Sequence, residues 1–431
     1  MNKYVFLVAF IAIGFWQCES KKDEFVKISG LNFVIDDQPY RFIGANYWYG
    51  MNLGMEGEHG DRERLIKELD DLQQLGVTNL RILGSSEGEG KFCVIPASQP
   101  QQGIYDEDVL AGLDFFLNEM SKRNMKAVFV LNNFWMWSGG FPQYVSWADG
   151  TEIPYPPVVE GGSWDGFINY ALSFYSNEKA QKMFEDHIKV MINRKNTING
   201  LSYKDDPTIM AWQLSNEPRG YSNVEGHRKW IKKTAKYIKG LDTRHLVCVG
   251  SEGNTSSDHA GVDLFEDNNS TDIDYATVHV WIQNWSWFNP QYDSTFETSI
   301  RHSEDYLADQ LAKASKLNKP VVIEEFGVSR DKGIFEKEGT TQFRDRYYEF
   351  IFDFTVNNIK AGGLVQGCNF WSYGGYGRST SPGGIWKIGD DLIGDPPHEF
   401  QGWYSVYDTD KSTLGLIRSY NQKLIETTSA K

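Results

Sequence analysis

Two kinds of apolar pattern alternate along this chain. Short, nearly continuous apolar runs fall at residues 41–46, 77–82, 126–132, 208–214, 245–250, 275–280, 319–327 and 362–371. Between them lie longer segments in which an apolar residue recurs every three or four positions. The first kind predicts strands buried on both faces, the second helices that lay one stripe on a core. Helices are predicted over about 62–75, 106–123, 176–194, 224–238, 303–317 and 341–357. Leu65, Leu69, Leu72 and Leu75 share one face of the first, and Gly76 ends it. Val109, Leu113, Phe116, Leu117 and Met120 form the stripe of the second. Residues 25–42 alternate and turn at Asp36, Asp37, Gln38 and Pro39, the pattern of a hairpin suited to plugging the closed end of a barrel. Residues 133–170, rich in Gly and Pro, break the periodicity and read as a long loop carrying Trp135, Trp137, Tyr144, Trp147 and Trp164.

Eight strands alternating with helices predict an α/β fold, a (β/α)₈ TIM barrel with enlarged loops at its C-terminal face and a short N-terminal hairpin. An open doubly wound sheet is the alternative, but no Gly-rich phosphate loop follows the first strand. With no internal repeat and no linker, residues 25–431 are expected to form a single catalytic barrel.

The ends and the charge narrow the picture. Residues 1–17 hold Lys3 and then an apolar run from Tyr4 to Trp16, which reads as an export signal. Cys18, followed by the charged tether of residues 18–24, has the form of a lipoprotein start, although Gln17 stands where a small residue is usual. The expected location is therefore outside the cytoplasm, as an outer-membrane lipoprotein or a secreted protein, touching membrane only through the lipid. Cys93, Cys248 and Cys368 are far apart and odd in number, and read as small apolar residues rather than a disulfide framework. A net charge of −15 with no basic run argues against a nucleic-acid partner.

The candidate chemistry sits where the strands end, the face on which barrels of this kind keep their active sites. The fourth run stops at Asn216, Glu217 and Pro218, the seventh at Glu324 and Glu325 ahead of Phe326 and Gly327. Pro218 bars Glu217 from the right-handed helical region, so an extended backbone is expected there. Two strand-terminal carboxylates can serve as the proton donor and the nucleophile, or the base, of a glycosidase. The other strand ends add Arg81, His279 and Trp371. No tight His and Asp ligand spacing appears, so neither metal nor cofactor is expected.

These residues resemble glycoside hydrolase family 5, and in particular its endo-β-1,4-mannanase branch. The resemblance rests on Asn216-Glu217-Pro218-Arg219, Glu325-Phe326-Gly327 and Phe370-Trp371, with softer matches at 133–144, 203–209, 369–375 and 401–406. It implies Glu217 as general acid/base and Glu325 as nucleophile. Asn216 would hold the sugar 2-hydroxyl, Arg81 would keep the nucleophile ionised, Trp371 would floor the sugar on the non-reducing side of the cut, and Arg219 would reach toward the leaving group. Period-two alternation sends only one of Glu324 and Glu325 into the mouth, and the family pattern selects Glu325. Relatives carry His-x-Tyr after strand six with the Tyr on the nucleophile. Here the stretch is His279, Val280, Trp281, and an indole N–H can donate but not accept.

The function expected is a retaining, endo-acting, monomeric hydrolase of β-1,4-mannosidic bonds in mannan, galactomannan or glucomannan. Alternatives are an endo-β-1,4-glucanase or other β-glycan hydrolase, and a non-catalytic glycan-binding surface protein. Retention predicts carboxyl groups about 5–5.5 Å apart and an acid whose pKa is raised. An open groove is expected, with Trp135, Trp137, Trp147, Trp281, Trp285 and Trp287 offered to sugar rings.

Overall fold

The computed structural model describes residues 24–429 apart from 158 and 256. The leader, Cys18 and most of the tether therefore lie outside the described residues. Eight parallel strands form one sheet: β1 (Phe42–Asn46), β2 (Asn79–Leu83), β3 (Lys126–Val130), β4 (Ile209–Gln213), β5 (Leu246–Cys248), β6 (Ala276–Val280), β7 (Val321–Phe326) and β8 (Val365–Phe370). Each lies within a predicted run except at the end of β2. Their order around the sheet is 5-4-3-2-1-8-7-6, so β8 pairs with β1 as a barrel requires.

At the seam between β5 and β6, individual contacts replace a regular ladder. Asp274 N donates to Val247 O (2.8 Å), Val247 N to Asp274 Oδ2 (2.6 Å), Thr277 Oγ1 to Ser251 O (2.7 Å) and His279 N to Glu252 O (3.0 Å).

The periodic stripes are buried as predicted. Leu65, Leu69 and Leu72 of helix Arg62–Gln74 and all five stripe residues of helix Glu107–Lys122 pack into the main core. The hairpin strands Lys27–Ser29, Asn32–Ile35 and Gln38–Pro39 set Val26 and Phe33 against Met210, Tyr275 and Val322, plugging the end opposite the catalytic face. Cys93, Cys248 and Cys368 are buried free thiols.

Two expectations needed revision. Residues 133–170 are not a continuous loop, since they contain helices Gly140–Asp149 and Trp164–Leu172. The glycines that suggested a loop flank the first helix instead, with Gly139 at φ +84° before it and Gly150 left-handed at its end, while Pro142 falls in a first turn where its missing N–H does no harm. The helix Lys411–Ser429, which the strand–helix count passed over, buries Ile417, Tyr420 and Leu424, and Asn421 bonds Ile43 of β1 through both N–H and C=O.

The segment between β8 and that last helix is clipped to the barrel through Asp410. Its carboxylate accepts from Arg330 Nη2 (2.8 Å), Arg344 Nη1 (3.1 Å) and the Tyr407 amide (3.0 Å), all buried. Asp410→Ala should strand two buried guanidinium groups and cost about 3–5 kcal/mol of stability, read from the urea midpoint at unchanged slope.

Candidate active site

A cavity of about 510 Å³ opens at the C-terminal ends of the strands. Its lining comes from Glu325 of β7 and from the segments after β3, β4, β5, β6 and β8, and includes Trp135, Glu217, Arg219, Trp281 and Trp371. Nothing from the segments after β1 and β2 lines it, because Trp48 packs edge-on against Trp137 (5.6 Å), which lies edge-on to Trp371 (6.4 Å).

Arg81 is the hub of the floor. It donates from Nη1 to Glu325 Oε1 and to Asn46 Oδ1 (3.1 Å), from Nη2 to Asn216 Oδ1 (2.7 Å), and from Nε to Gln213 Oε1 (2.8 Å). With its oxygen taken by Arg81, Asn216 directs its amide to Asn133 Oδ1 (3.1 Å). Glu217 accepts from Trp135 Nε1 (2.7 Å) and pairs with His279 Nδ1 (2.8 Å), which lies 3.2 Å from Glu325 Oε2. Arg219 is gripped by both oxygens of Glu252 (2.6 and 2.8 Å) and lies over the Trp135 ring at 4.9 Å.

The two carboxylates are close. One oxygen each of Glu217 and Glu325 and a ring nitrogen of His279 all lie within 4.8 Å of one another, closer than the spacing of an inverting pair. Such a trio has the reach to hold a cation. Here Arg81 and His279 already supply positive charge and hydrogen bonds to both carboxylates, so the donor set fits a cluster that shares protons.

Electrostatics departs from the expectation for Glu217. Burial by itself would raise its carboxyl, but the His279 hydrogen bond and charge, Arg219 and the Trp135 N–H together hold it down at about 2. His279 moves the other way. Burial disfavours its charge, but the Glu325 charge, the hydrogen bond to Glu217 and the nearby Glu324 lift it well above the ordinary imidazole value. The proton expected on Glu217 is therefore held by its neighbour.

The backbone at this position also differs. Glu217 has φ +47°, a left-handed turn rather than an extended residue. Pro218 does exclude the right-handed region, and the chain takes the other exit. Strand alternation fails at β7 too. A register shift between Ile323 and Glu325 sends both carboxylates inward, Glu325 to the mouth and Glu324 one layer deeper, where Gln213 Nε2 donates to it (2.7 Å).

Of the tryptophans offered to sugar, Trp135, Trp137, Trp281 and Trp285 line the cavity with Trp371. Trp147 packs edge-on to Tyr144 (5.5 Å) and Trp287 against Trp285 (4.9 Å), both away from the lining. Trp281 packs on Trp371 (6.1 Å) and Tyr404 (5.1 Å), and the partners of Glu325 are Arg81 and His279.

Sequence reasoning missed Glu252, His398 and Glu399. The last two line the cavity with His398 Nδ1 and Glu399 Oε2 buried and without partners, as is Trp371 Nε1. Burial, with Asp395 and the two site carboxylates nearby, pushes the Glu399 carboxyl well up from its ordinary value. The length of the segment after β8 was the available signal, since the enlarged loops of a barrel build its site.

This geometry can be set beside known proteins. The family description "GH family 5 beta-mannosidase-like" matches residues 23–429. The chain belongs to glycoside hydrolase family 5. Within it, the protein is 32% identical over 419 residues to a rice (Oryza sativa subsp. japonica) mannan endo-1,4-beta-mannosidase, covering 93% of this chain and 86% of that one. It is 30% identical over 388 residues to mannan endo-1,4-beta-mannosidase 1 of Arabidopsis thaliana, covering 85% and 86%. The crystal structure of a glycoside hydrolase family 5 mannosidase from Rhizomucor miehei superposes with a TM-score of 0.87 at 38% identity, over 95% of this chain and 99% of that one. This glycoside hydrolase thus has the barrel fold of its family.

Proposed function

We propose that the protein hydrolyses β-1,4-mannosidic bonds of mannan, galactomannan or glucomannan chains with retention of configuration, cutting within the chain. The observation that carries the chemistry is the Glu217–Glu325 pair within 4.8 Å on a floor organised by Arg81. Glu325, paired with Arg81, attacks the anomeric carbon. Glu217 protonates the leaving oxygen and then activates the water that releases the sugar. Trp371 floors the sugar being cleaved, and its N–H, His398 and Glu399 offer the polar contacts that hydroxyl groups would fill. Arg219, fixed by Glu252 and stacked on Trp135, faces the leaving-group side. The relatives named mannan endo-1,4-beta-mannosidases support both the mannan-type substrate and internal cutting.

A second reading, release of sugar from chain ends, is favoured by the wall of Trp48, Trp137 and Trp371 that bounds the cavity on one side. Time-resolved product analysis on mannan, galactomannan, glucomannan and cellulose separates these. Internal cutting gives a spread of early oligosaccharides and a rapid fall in viscosity, end cutting a single short product. Activity on cellulose alone would move the enzyme to the glucanase reading, and binding without cleavage to the glycan-binding one.

We also infer export with a lipid on Cys18. Cys18→Ala should shift the protein from the membrane fraction to the soluble one, or leave the leader uncleaved. A free N-terminus elsewhere in the native protein would leave plain secretion.

A further inference from the structure

The position of Glu324 has no role in the reaction as drawn. It is fully buried inside the barrel, directly before the nucleophile, and the register shift in β7 aims it inward. Its Oε2 accepts from Gln213 and lies 3.4 Å from Arg81 Nε and 3.6 Å from His279 Nε2, while its Oε1 has no partner. His279 thus has carboxylates beside both ring nitrogens: Glu217 bonded (2.8 Å) and Glu325 close (3.2 Å) at Nδ1, and Glu324 3.6 Å from Nε2, which itself makes no hydrogen bond. A buried carboxylate this close to the far side of an imidazole whose near side meets a reacting group stabilises the imidazolium through its charge.

We propose that Glu217, His279 and Glu324 form a proton relay, in which His279 carries, before substrate docks, the proton that Glu217 gives to the leaving oxygen, and Glu324 is the buried counter-charge that stabilises it there. This rests on the reading of Glu217 as the acid.

The steps balance. Before substrate docks, Glu217 is a carboxylate and His279 an imidazolium. A docked sugar displaces water from the cavity. That loss bears on Glu217, whose side chain is 10% exposed, more than on His279, which is already 0% exposed. The Nδ1 proton crosses the 2.8 Å to Glu217 Oε1, leaving a neutral ring with its remaining N–H on Nε2 toward Glu324. Glu217 passes that proton to the glycosidic oxygen as Glu325 forms the bond to the anomeric carbon and the C–O bond breaks. In the second half, Glu217 takes a proton from the attacking water and returns it to His279. The direction of the His279 and Glu217 shifts agrees with the starting state.

Other groups facing this line set its field. Arg81 of β2 and Arg219 after β4 are the cations; Glu252 after β5 and Glu325 of β7 are carboxyl groups. Cys248 and Tyr275 face Glu324, both pushed up by burial, and His398 and Glu399 face Glu217 across the cavity. Glu324→Gln removes one carboxylate from this field and leaves those other groups present.

The test is Glu324→Gln, which keeps the shape and removes the charge. Rates are compared as kcat/KM, which reports the bond-breaking half-reaction, on mannotriose and on 2,4-dinitrophenyl β-mannoside, whose leaving group needs no acid. The relay predicts a loss on mannotriose at least about tenfold greater than on the aryl mannoside. It also predicts an alkaline limb about one pH unit lower, since a lost negative charge weakens the hold on the shared proton. Glu324→Asp, which keeps the charge, should keep the limb close to its original place. Equal losses on both substrates, or an unmoved limb, would overturn the relay and leave Glu324 a packing residue. A wild-type enzyme inactive on both substrates would instead refute the mannosidase reading. If Glu324→Gln does not fold, the ¹⁵N-histidine spectrum of the wild type decides. At pH 8 it should contain an imidazolium that responds to mannobiose, and its absence overturns the proposal.

Discussion

Glu325→Gln should fold normally and lose turnover on every β-mannoside by on the order of 10⁴-fold or more, the scale on which removal of a nucleophile registers. An amide cannot attack the anomeric carbon. It also leaves Arg81 and His279 facing a neutral group, so neither half of the reaction survives. The wild type should be inactivated by a 2-deoxy-2-fluoro-mannosyl fluoride, with the sugar recovered on the peptide carrying Glu325. Label on Glu324 or Glu217 would show that the nucleophile has been assigned to the wrong carboxylate. A product released with inverted configuration would reject the retaining mechanism, despite the short separation of the pair.

Glu217→Ala should lower kcat/KM on mannan by about 10²–10⁴-fold, while an aryl mannoside with an acidic leaving group keeps much more of its rate. Azide should restore turnover of that aryl substrate and yield a β-mannosyl azide, because a small anion fits where the carboxylate stood and needs no base. The pH profile carries the sign. Wild-type activity requires one proton in the Glu217–His279 site and falls as pH rises through the pKa of that site. The variant has no acid to lose, so its alkaline limb should flatten. Azide without effect, or an alkaline limb unchanged in the variant, would assign the acid elsewhere.

The barrel was legible because its strands are buried on both faces and its helices on one, and each case prints its own period. The strand-end residues were legible for the same reason: once the strands are placed, Arg81, Asn216, Glu217, His279, Glu325 and Trp371 must share one face. What failed depends on local departures from period. A register shift turns Glu324 inward where alternation sent it away. The glycines flanking Gly140–Asp149 looked like loop composition. His398 and Glu399 face the cavity only because the segment after β8 folds back, with Trp48 Nε1 and Ser372 Oγ on Gly394 O and Gln401 bonding three of its carbonyls. No periodicity records such contacts. Burial and the neighbouring Glu325 charge, the two features legible in the sequence, would raise Glu217; what the sequence does not show is that two donors, Trp135 Nε1 and His279 Nδ1, and the Arg219 cation converge on that carboxylate.

The left-handed backbone at Glu217 has a consequence for how this barrel tolerates change. A residue with a Cβ held at φ +47° carries roughly 1–2 kcal/mol of conformational cost that glycine would not. Against that, Trp135, His279 and Arg219 hold the carboxylate in its charged form, so at neutral pH its pairing favours the folded state, and glycine would leave the Trp135 and His279 donors without that acceptor. A strained turn can persist here because the same side chain that carries the strain is the one its neighbours grip.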